Sequence, residues 1–235
     1  MSAEITFMNL PKQSQSIVWL HLSDLHFCKL KSGWDVPRVL EPLIKDLKYM
    51  EKEYALLPQL IFFTGDVAFG NYGSGPGSKL SEQYEDIEKF LTEVREAFTV
   101  KIHKINLFLV PGNHDVDRSE STEQQTTWIE QQSKPDKITQ LIQGGKKEWK
   151  QFMERLTPNR QFLQKHEYTH LLNDSERLIY AEVREISGVK IGIGGFNSAW
   201  NCGRDGEKGK LWLGGDWQNG TIVNSLNVII HTPSL

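Results

Sequence analysis

Four short apolar runs stand out along the chain. They read IVWLHL (17–22), LIFFT (60–64), INLFLV (105–110) and LNVIIH (226–231). Their β-branched and aromatic residues follow one another without alternating polar positions, which predicts strands buried on both faces. We therefore expect these runs to form the interior of a sheet.

The segments between the first three runs have the spacing of amphipathic helices. Apolar residues recur every three or four positions from 36 to 50, where Pro42 should either kink the helix or mark its start. The same spacing returns from Tyr84 to Val94, after Ser81, a residue type favoured at helix N-caps. Strands that alternate with helices predict an α/β fold with a parallel sheet.

The second half of the chain begins differently. The stretch 117–175 is polar with scattered aromatic residues, and we interpret it as a helical insertion within a single domain that covers 1–235. It contains HEYTH (166–170), which matches the H-E-x-x-H zinc-protease pattern, but its polar surroundings favour a surface helix. From 178 onward, two strand-like runs around Ser187-Gly188 predict a β-hairpin, and 204–210 predicts a second hairpin loop.

Composition restricts the partners and the compartment. The net charge of −3 excludes the strongly basic surface that draws proteins onto nucleic acid or anionic membranes. Two cysteines, Cys28 and Cys202, are too few for a disulfide framework. The N-terminus lacks a signal-peptide pattern, and no apolar run reaches membrane-spanning length. We expect a cytoplasmic protein with no membrane partner.

Side chains that can bind metal follow each apolar run, at the point where the predicted strand ends. They are Asp24, His26, Asp66, Asn113, His114 and His231. Ligands of open α/β sheets bind beyond the carboxyl ends of the strands, so these side chains should converge at one edge. A single aspartate after a strand is more often a helix cap, but the ordered set predicts a site. Carboxylate, amide and imidazole donors suit divalent Mn, Fe, Zn or Ni.

The ordered motifs D-x-H, G-D, G-N-H-D and H-x-P closely resemble those of the calcineurin-like metallophosphoesterase family. The resemblance implies a four-layer α/β sandwich, in which two mixed β-sheets are flanked by helices. It also implies two divalent metal ions, for which we favour manganese. Asp24 and His26 would hold one ion, and Asp66 would bridge both. Asn113 and His231 would hold the second.

The resemblance further implies hydrolysis of phosphoester bonds by a hydroxide that the two metals activate. His114 would act beside the scissile phosphate, with Asp115 orienting its ring. LSDLHF and VPGNHD look most similar to the phosphodiesterase and nuclease branches, so the expected substrates are phosphodiesters of nucleotides or nucleic acid. Asn197, which follows a predicted strand, should lie near the same edge and either contact substrate or form a turn.

One family motif is missing. The G-H-x-H that would give each metal a further histidine does not occur before residue 235. We interpret the chain as a fragment with further domains C-terminal to it and with reduced activity of its own; a shortened domain is the alternative. Two other functions stay open: a degenerate site that serves binding or regulation, and a nuclease effector domain of a larger multidomain protein.

Overall fold

The computed structural model describes residues 16–28, 36–72, 74–131, 139–141, 147–202, 213 and 216–231. In these residues, β1 (Trp19–Leu22), β2 (Leu60–Thr64) and β3 (Leu107–Val110) form a parallel sheet with the order β1-β2-β3. A second sheet consists of β4 (Tyr180–Ile186) and β5 (Val189–Gly195), which pair antiparallel. The strands predicted from the first three apolar runs are therefore confirmed.

The described helices are α1 (Val36–Tyr54), α2 (Leu80–Arg95), α3 (Glu123–Gln131), α4 (Lys147–Glu154), α5 (Thr157–Lys165) and α6 (Asp216–His231). Short 3₁₀ turns occur at Lys104–Asn106, Asn113–Asp115, Arg118–Glu120, Thr169–Leu171 and Ala199–Asn201. Among the described residues, no helix combines the length and the apolar character required to cross a membrane.

Helices α1 and α2 connect successive parallel strands, as predicted. Right-handed crossovers that step in one direction across a sheet place both helices on the same face. Pro42 lies inside α1, so the alternative that it marks the start of the helix is wrong. The N-cap of α2 is Lys79, and Ser81 lies within the helix. The apolar face of α2 is buried in the core as its periodicity predicts.

The two sheets pack face to face. The ring of Phe62 stacks on Phe108 at 5.5 Å, and Phe108 lies 6.1 Å from the ring of Tyr180 on β4. Helix α6 covers the β4–β5 hairpin, where a Cβ at Gly194 would lie 2.6 Å from Ile222 Cγ2. The fold is thus the expected α/β sandwich. Its layers are the helices α1 and α2, the parallel sheet, the antiparallel sheet and α6. In the described residues, one sheet is parallel and the other is antiparallel.

The fourth apolar run, 226–231, is not a strand. It forms the end of α6, so the prediction that His231 follows a strand tip is wrong. A two-stranded hairpin is marginally stable by itself and needs a covering layer. Ile222 and Leu226, one helical turn apart, pack against the core and provide that layer. The side chain of His231 is not among those that the structure describes.

Two further sequence predictions have clear outcomes. In the part of the chain that the structure describes, strand β1 lies at the edge of its sheet and Trp19 is 59% exposed, so burial on both faces is wrong for this strand. The hairpin at 178–195 is confirmed. Ser187 and Gly188 both adopt positive φ, at 52° and 76°, which is the backbone that a two-residue turn between twisted strands requires.

The described part of 117–175 is helical. Helix α5 packs against α2, and Phe152 of α4 lies 6.3 Å from Trp200, which follows β5. These contacts join the segment to both halves of the fold, and its status as an insertion stays a prediction. The hairpin loop predicted at 204–210 lies outside the described residues.

Candidate metal centre

The loops that follow β1 and β2 run side by side beyond the sheet. The amide of Asp24 donates to the carbonyl of Gly65 at 3.2 Å, and the amide of His26 donates to the carbonyl of Asp66 at 3.0 Å. A parallel bridge between Phe27 and Ala68 continues this pairing. Backbone hydrogen bonds therefore hold the D-x-H motif against the G-D motif.

Three residues of these loops have left-handed backbone. Their φ values are 56° at Asp24, 46° at His26 and 55° at Asp66. A non-glycine residue in this region costs on the order of 1–3 kcal/mol, and such strain concentrates at functional sites. Here the hydrogen bonds between the loops offset that cost. The strained backbone coincides with the three residues that the motifs single out.

The loop after β3 reaches Asp66 through a glycine. A Cβ at Gly112 would collide with both the amide and the carboxylate of Asp66, so only glycine permits this approach. The amide of His114 then donates to Asp66 Oδ1 at 2.9 Å. The third loop thus fixes the carboxylate of the second.

Three side chains converge where the loops meet. His26, Asp66 and His114 each offer a ligand atom, and these atoms lie within 4.8 Å of one another. The rings of His26 and His114 are 4.4 Å apart and nearly perpendicular. Asp24 lies on the solvent side of this group. Its Oδ1 is 3.8 Å from His26 Nε2, and its side chain is 67% exposed. The three motifs therefore meet at one edge of the sheet, as the sequence predicts.

A backbone carbonyl orients the ring of His114. Its Nδ1 lies 2.7 Å from the carbonyl oxygen of Phe69. Because a carbonyl oxygen can only accept, Nδ1 carries the proton, and Nε2 of the neutral ring has the free lone pair. The prediction that Asp115 orients this ring is wrong, because the fold gives the carboxylate of Asp115 other partners.

Asp115 is fully buried and joins the second loop to the third. Its Oδ2 accepts from the amide of Gly112 at 2.8 Å, and its Oδ1 accepts from the amide of Ala68 at 3.1 Å. Oδ1 also accepts from the hydroxyl of Tyr84 at 3.1 Å. Burial raises the pKa of Asp115 to about 6, although the bonds from Gly112 and Ala68 lower it. The side chain therefore braces the loops.

Two predicted site residues have other surroundings. Asn197 is completely buried; its Nδ2 donates to the carbonyl of Arg177 at 2.9 Å, and its Oδ1 accepts from the amide of Trp200 at 3.2 Å. It forms a turn, and the prediction of a substrate contact is wrong because solvent cannot reach it. Asn113 directly precedes His114 in the turn Asn113–Asp115, and its ligand role stays a prediction, as does that of His231.

The H-E-x-x-H match has no helix to support it. Helix α5 ends at Lys165, and His170 lies in a separate 3₁₀ turn, so the surface-helix interpretation is wrong as well. His166 Nε2 lies 3.5 Å from Glu85 Oε1, whereas His170 is buried with its Nε2 2.9 Å from the carbonyl of Leu107. The two histidines therefore contact different elements of the fold, one at the surface of α2 and one in the core.

Sequence reasoning missed the partners of the motif residues. The carbonyl of Phe69 carries no sequence signal, because any residue supplies one. Tyr84 was interpreted only as part of an apolar helix face. Its hydroxyl was the available signal, since a buried tyrosine usually requires a hydrogen-bond partner.

The donor set suits divalent transition metals. Two imidazoles and two carboxylates, from His26, His114, Asp24 and Asp66, combine nitrogen with hard oxygen ligands. All four side chains are at least partly exposed, so an ion can enter from solvent. The geometry of the loops thus fits a metal centre.

A sequence model described as calcineurin-like phosphoesterase matches residues 18–213 and includes all three loops. Searches of curated proteins and of solved structures gave no significant match. The match covers well over half of the chain, and the motif residues inside it meet in space. This chain therefore belongs to the calcineurin-like phosphoesterase family, whose members hydrolyse phosphoesters with the help of metal ions.

Proposed function

We propose that this chain is a phosphodiesterase of nucleotides or nucleic acid that works with two divalent metal ions. The observation that carries the proposal is the convergence of His26, Asp66 and His114 within 4.8 Å. Three separate loops deliver these side chains, and strained backbone holds two of them. A chance grouping on a surface would not require that strain.

The proposed ligand set follows the three loops. Asp24 and His26 would hold one ion, Asp66 would be shared by both, and Asn113 would contribute to the second. Asp66 is suited to the bridging position because its Oδ1 is fixed by the amide of His114. We leave His231 out of the set, because the strand that motivated its assignment is a helix.

His114 is the proposed proton donor to the leaving oxygen. The Phe69 carbonyl accepts from Nδ1 in both the neutral and the protonated ring, so it keeps Nε2 aimed away from that carbonyl and available for proton transfer. Metal ions in this centre would neutralise the phosphoryl oxygens and lower the pKa of a bound water. The chain needs such local positive charge, since its net charge is −3.

The ring of Phe69 supports a diester with an aromatic or nucleoside group. It lies 5.8 Å from the ring of His114 and 6.5 Å from that of His26, and it is partly exposed. An aromatic face beside the reacting phosphate offers a stacking surface to a nucleobase. The described residues give no observation that favours the alternative of a degenerate binding module.

Hydrolysis assays with Mn²⁺ and with EDTA test this proposal. Bis-p-nitrophenyl phosphate serves as the diester and p-nitrophenyl phosphate as the monoester. We expect Mn²⁺-dependent cleavage of the diester that His26→Ala abolishes. His103→Ala is the matched control, because His103 is exposed and its Nδ1 accepts from the amide of Ile105, away from the three loops. Cleavage that survives in EDTA would contradict metal dependence, and a preference for the monoester would contradict the diesterase assignment.

A further inference from the structure

Tyr84 connects the metal centre to the helical segment. It lies on α2, is 1% exposed, and donates from its hydroxyl to Asp115 Oδ1 at 3.1 Å. The same hydroxyl accepts from Asn159 Nδ2 on α5 at 3.1 Å. The ring stacks on Phe162 of α5 at 4.8 Å with an angle of 15°. One side chain therefore contacts both Asp115, which joins the loops, and helix α5 of the segment 117–175.

The position of Asp115 affects both loops at once. Its carboxylate accepts from Ala68, two residues after Asp66, and from Gly112, directly before Asn113. A shift of the carboxylate would therefore change the distance between two ligand-bearing loops. Tyr84 is the side chain that holds this carboxylate from the core side.

Packing alone does not explain the hydroxyl of Tyr84. A phenylalanine would fill the same space and stack equally on Phe162, without a polar group to bury. Burial of a hydroxyl is costly unless it is hydrogen-bonded, and here it has both a donor and an acceptor partner. Burial also raises the pKa of Tyr84, so the hydroxyl keeps its proton and remains a donor.

We propose that Tyr84 is a positioning residue of the metal centre. Through Asp115 it sets the spacing of the loops that carry Asp66 and Asn113, and through Asn159 it couples that spacing to the helical segment. The proposal rests on the metal centre of the proposed function. Loss of the hydroxyl should therefore weaken metal binding beyond any loss of stability.

Tyr84→Phe tests this role, because it removes the hydroxyl and keeps the ring. Tyr168→Phe is a matched control. Tyr168 is also fully buried, its ring lies 5.7 Å from Phe162, and its hydroxyl donates to a carboxylate, Glu88 Oε2, at 2.8 Å. Glu88 binds Lys104 and not the loops of the centre. Both variants lose a tyrosine–carboxylate hydrogen bond, but only the bond from Tyr84 reaches the loops of the centre.

Mn²⁺ affinity by calorimetry and Tm in EDTA are measured for both variants. We expect Tyr84→Phe to bind Mn²⁺ about 10–100-fold more weakly, the usual effect of losing a group that supports metal ligands. Tyr168→Phe should keep the wild-type affinity even where its Tm falls as far. Wild-type affinity in Tyr84→Phe, or an equal loss in both variants, would overturn the proposal.

A double-mutant cycle with Asn159→Ala tests the coupling to the helices. Asn159→Ala should weaken Mn²⁺ binding in the wild-type background and have little further effect when Tyr84 is already phenylalanine. Fully additive losses would contradict the coupling. A wild-type protein that binds Mn²⁺ but hydrolyses no phosphoester would overturn the proposed function, and the affinity comparison would still decide the role of Tyr84.

Discussion

The backbone amide of His114 donates a hydrogen bond to the carboxylate of Asp66, at 2.9 Å from Oδ1. This bond joins the motif after β3 to the motif after β2. It restricts the carboxylate that we propose as the shared ligand of two ions. The loop of His114 and the side chain of Asp66 therefore form one structural unit, and a change in either should affect the other.

His114→Ala tests the role of the ring apart from its backbone. The variant keeps the amide bond to Asp66, so we expect its Mn²⁺ content to stay close to that of the wild type. Loss of the proton donor should lower turnover by roughly 10²–10⁴-fold. Elemental analysis and diester hydrolysis measure the two effects. Loss of an ion would show that His114 is a metal ligand, as its place in the cluster also permits.

Gly112→Ala should disrupt the centre by forcing the loops apart. The added Cβ collides with the amide and carboxylate of Asp66, and overpacking of this kind typically costs about 1–3 kcal/mol. We expect lower stability in urea and weaker Mn²⁺ binding. Gly220→Ala in α6 is the control, because its Cβ would meet nothing within 4 Å, and alanine favours a helix by up to about 1 kcal/mol. Equal behaviour of the two variants would contradict the close approach.

Because His170 is buried, we expect the protein to lose stability in mild acid. Burial lowers its pKa, so the folded protein resists the proton that the unfolded chain accepts below about pH 6.5. The contribution of His170 to stability is therefore complete above that pH. Below that pH the contribution decreases, by at most about 1.4 kcal/mol per pH unit.

His170→Gln isolates this effect, because glutamine can still donate to the carbonyl of Leu107 but does not titrate. Urea unfolding at several pH values should show that the free energy of unfolding of the variant increases relative to that of the wild type as the pH falls from about 7 to about 5. Its Mn²⁺ and zinc content should stay unchanged, because His170 lies in the core behind β3. A parallel pH dependence of the two proteins would show that another group causes the acid sensitivity.

The sequence predicts those parts of the centre that depend on strand ends. Asp24, His26, Asp66 and His114 each follow a run that is a strand, so topology alone brings them together. The prediction fails at 226–231, because a short apolar run has no periodicity that separates a strand from a buried helix. Only the packing of Ile222 and Leu226 on the hairpin decides between them.

Partners that depend on the tertiary path could not be predicted. Asp115 was expected beside the ring of His114 because the two are adjacent in sequence. The 3₁₀ turn at Asn113–Asp115 directs the carboxylate inward, where two amides and Tyr84 surround it. Sequence adjacency cannot reveal that direction. The same limit explains Asn197, whose burial depends on contacts with Arg177 and Trp200.

Mn²⁺ binding by Asp66→Asn tests the central claim most directly. Asparagine keeps the shape of the side chain and an oxygen for the amide of His114, but it loses the charge that two ions would share. Asp46→Asn is the control, because Asp46 is an exposed residue of α1. Calorimetric titration should show two ions per wild-type or Asp46→Asn chain and no tight binding by Asp66→Asn, with unchanged circular dichroism. Undiminished binding of two ions by the folded Asp66→Asn variant would contradict the metal centre described above.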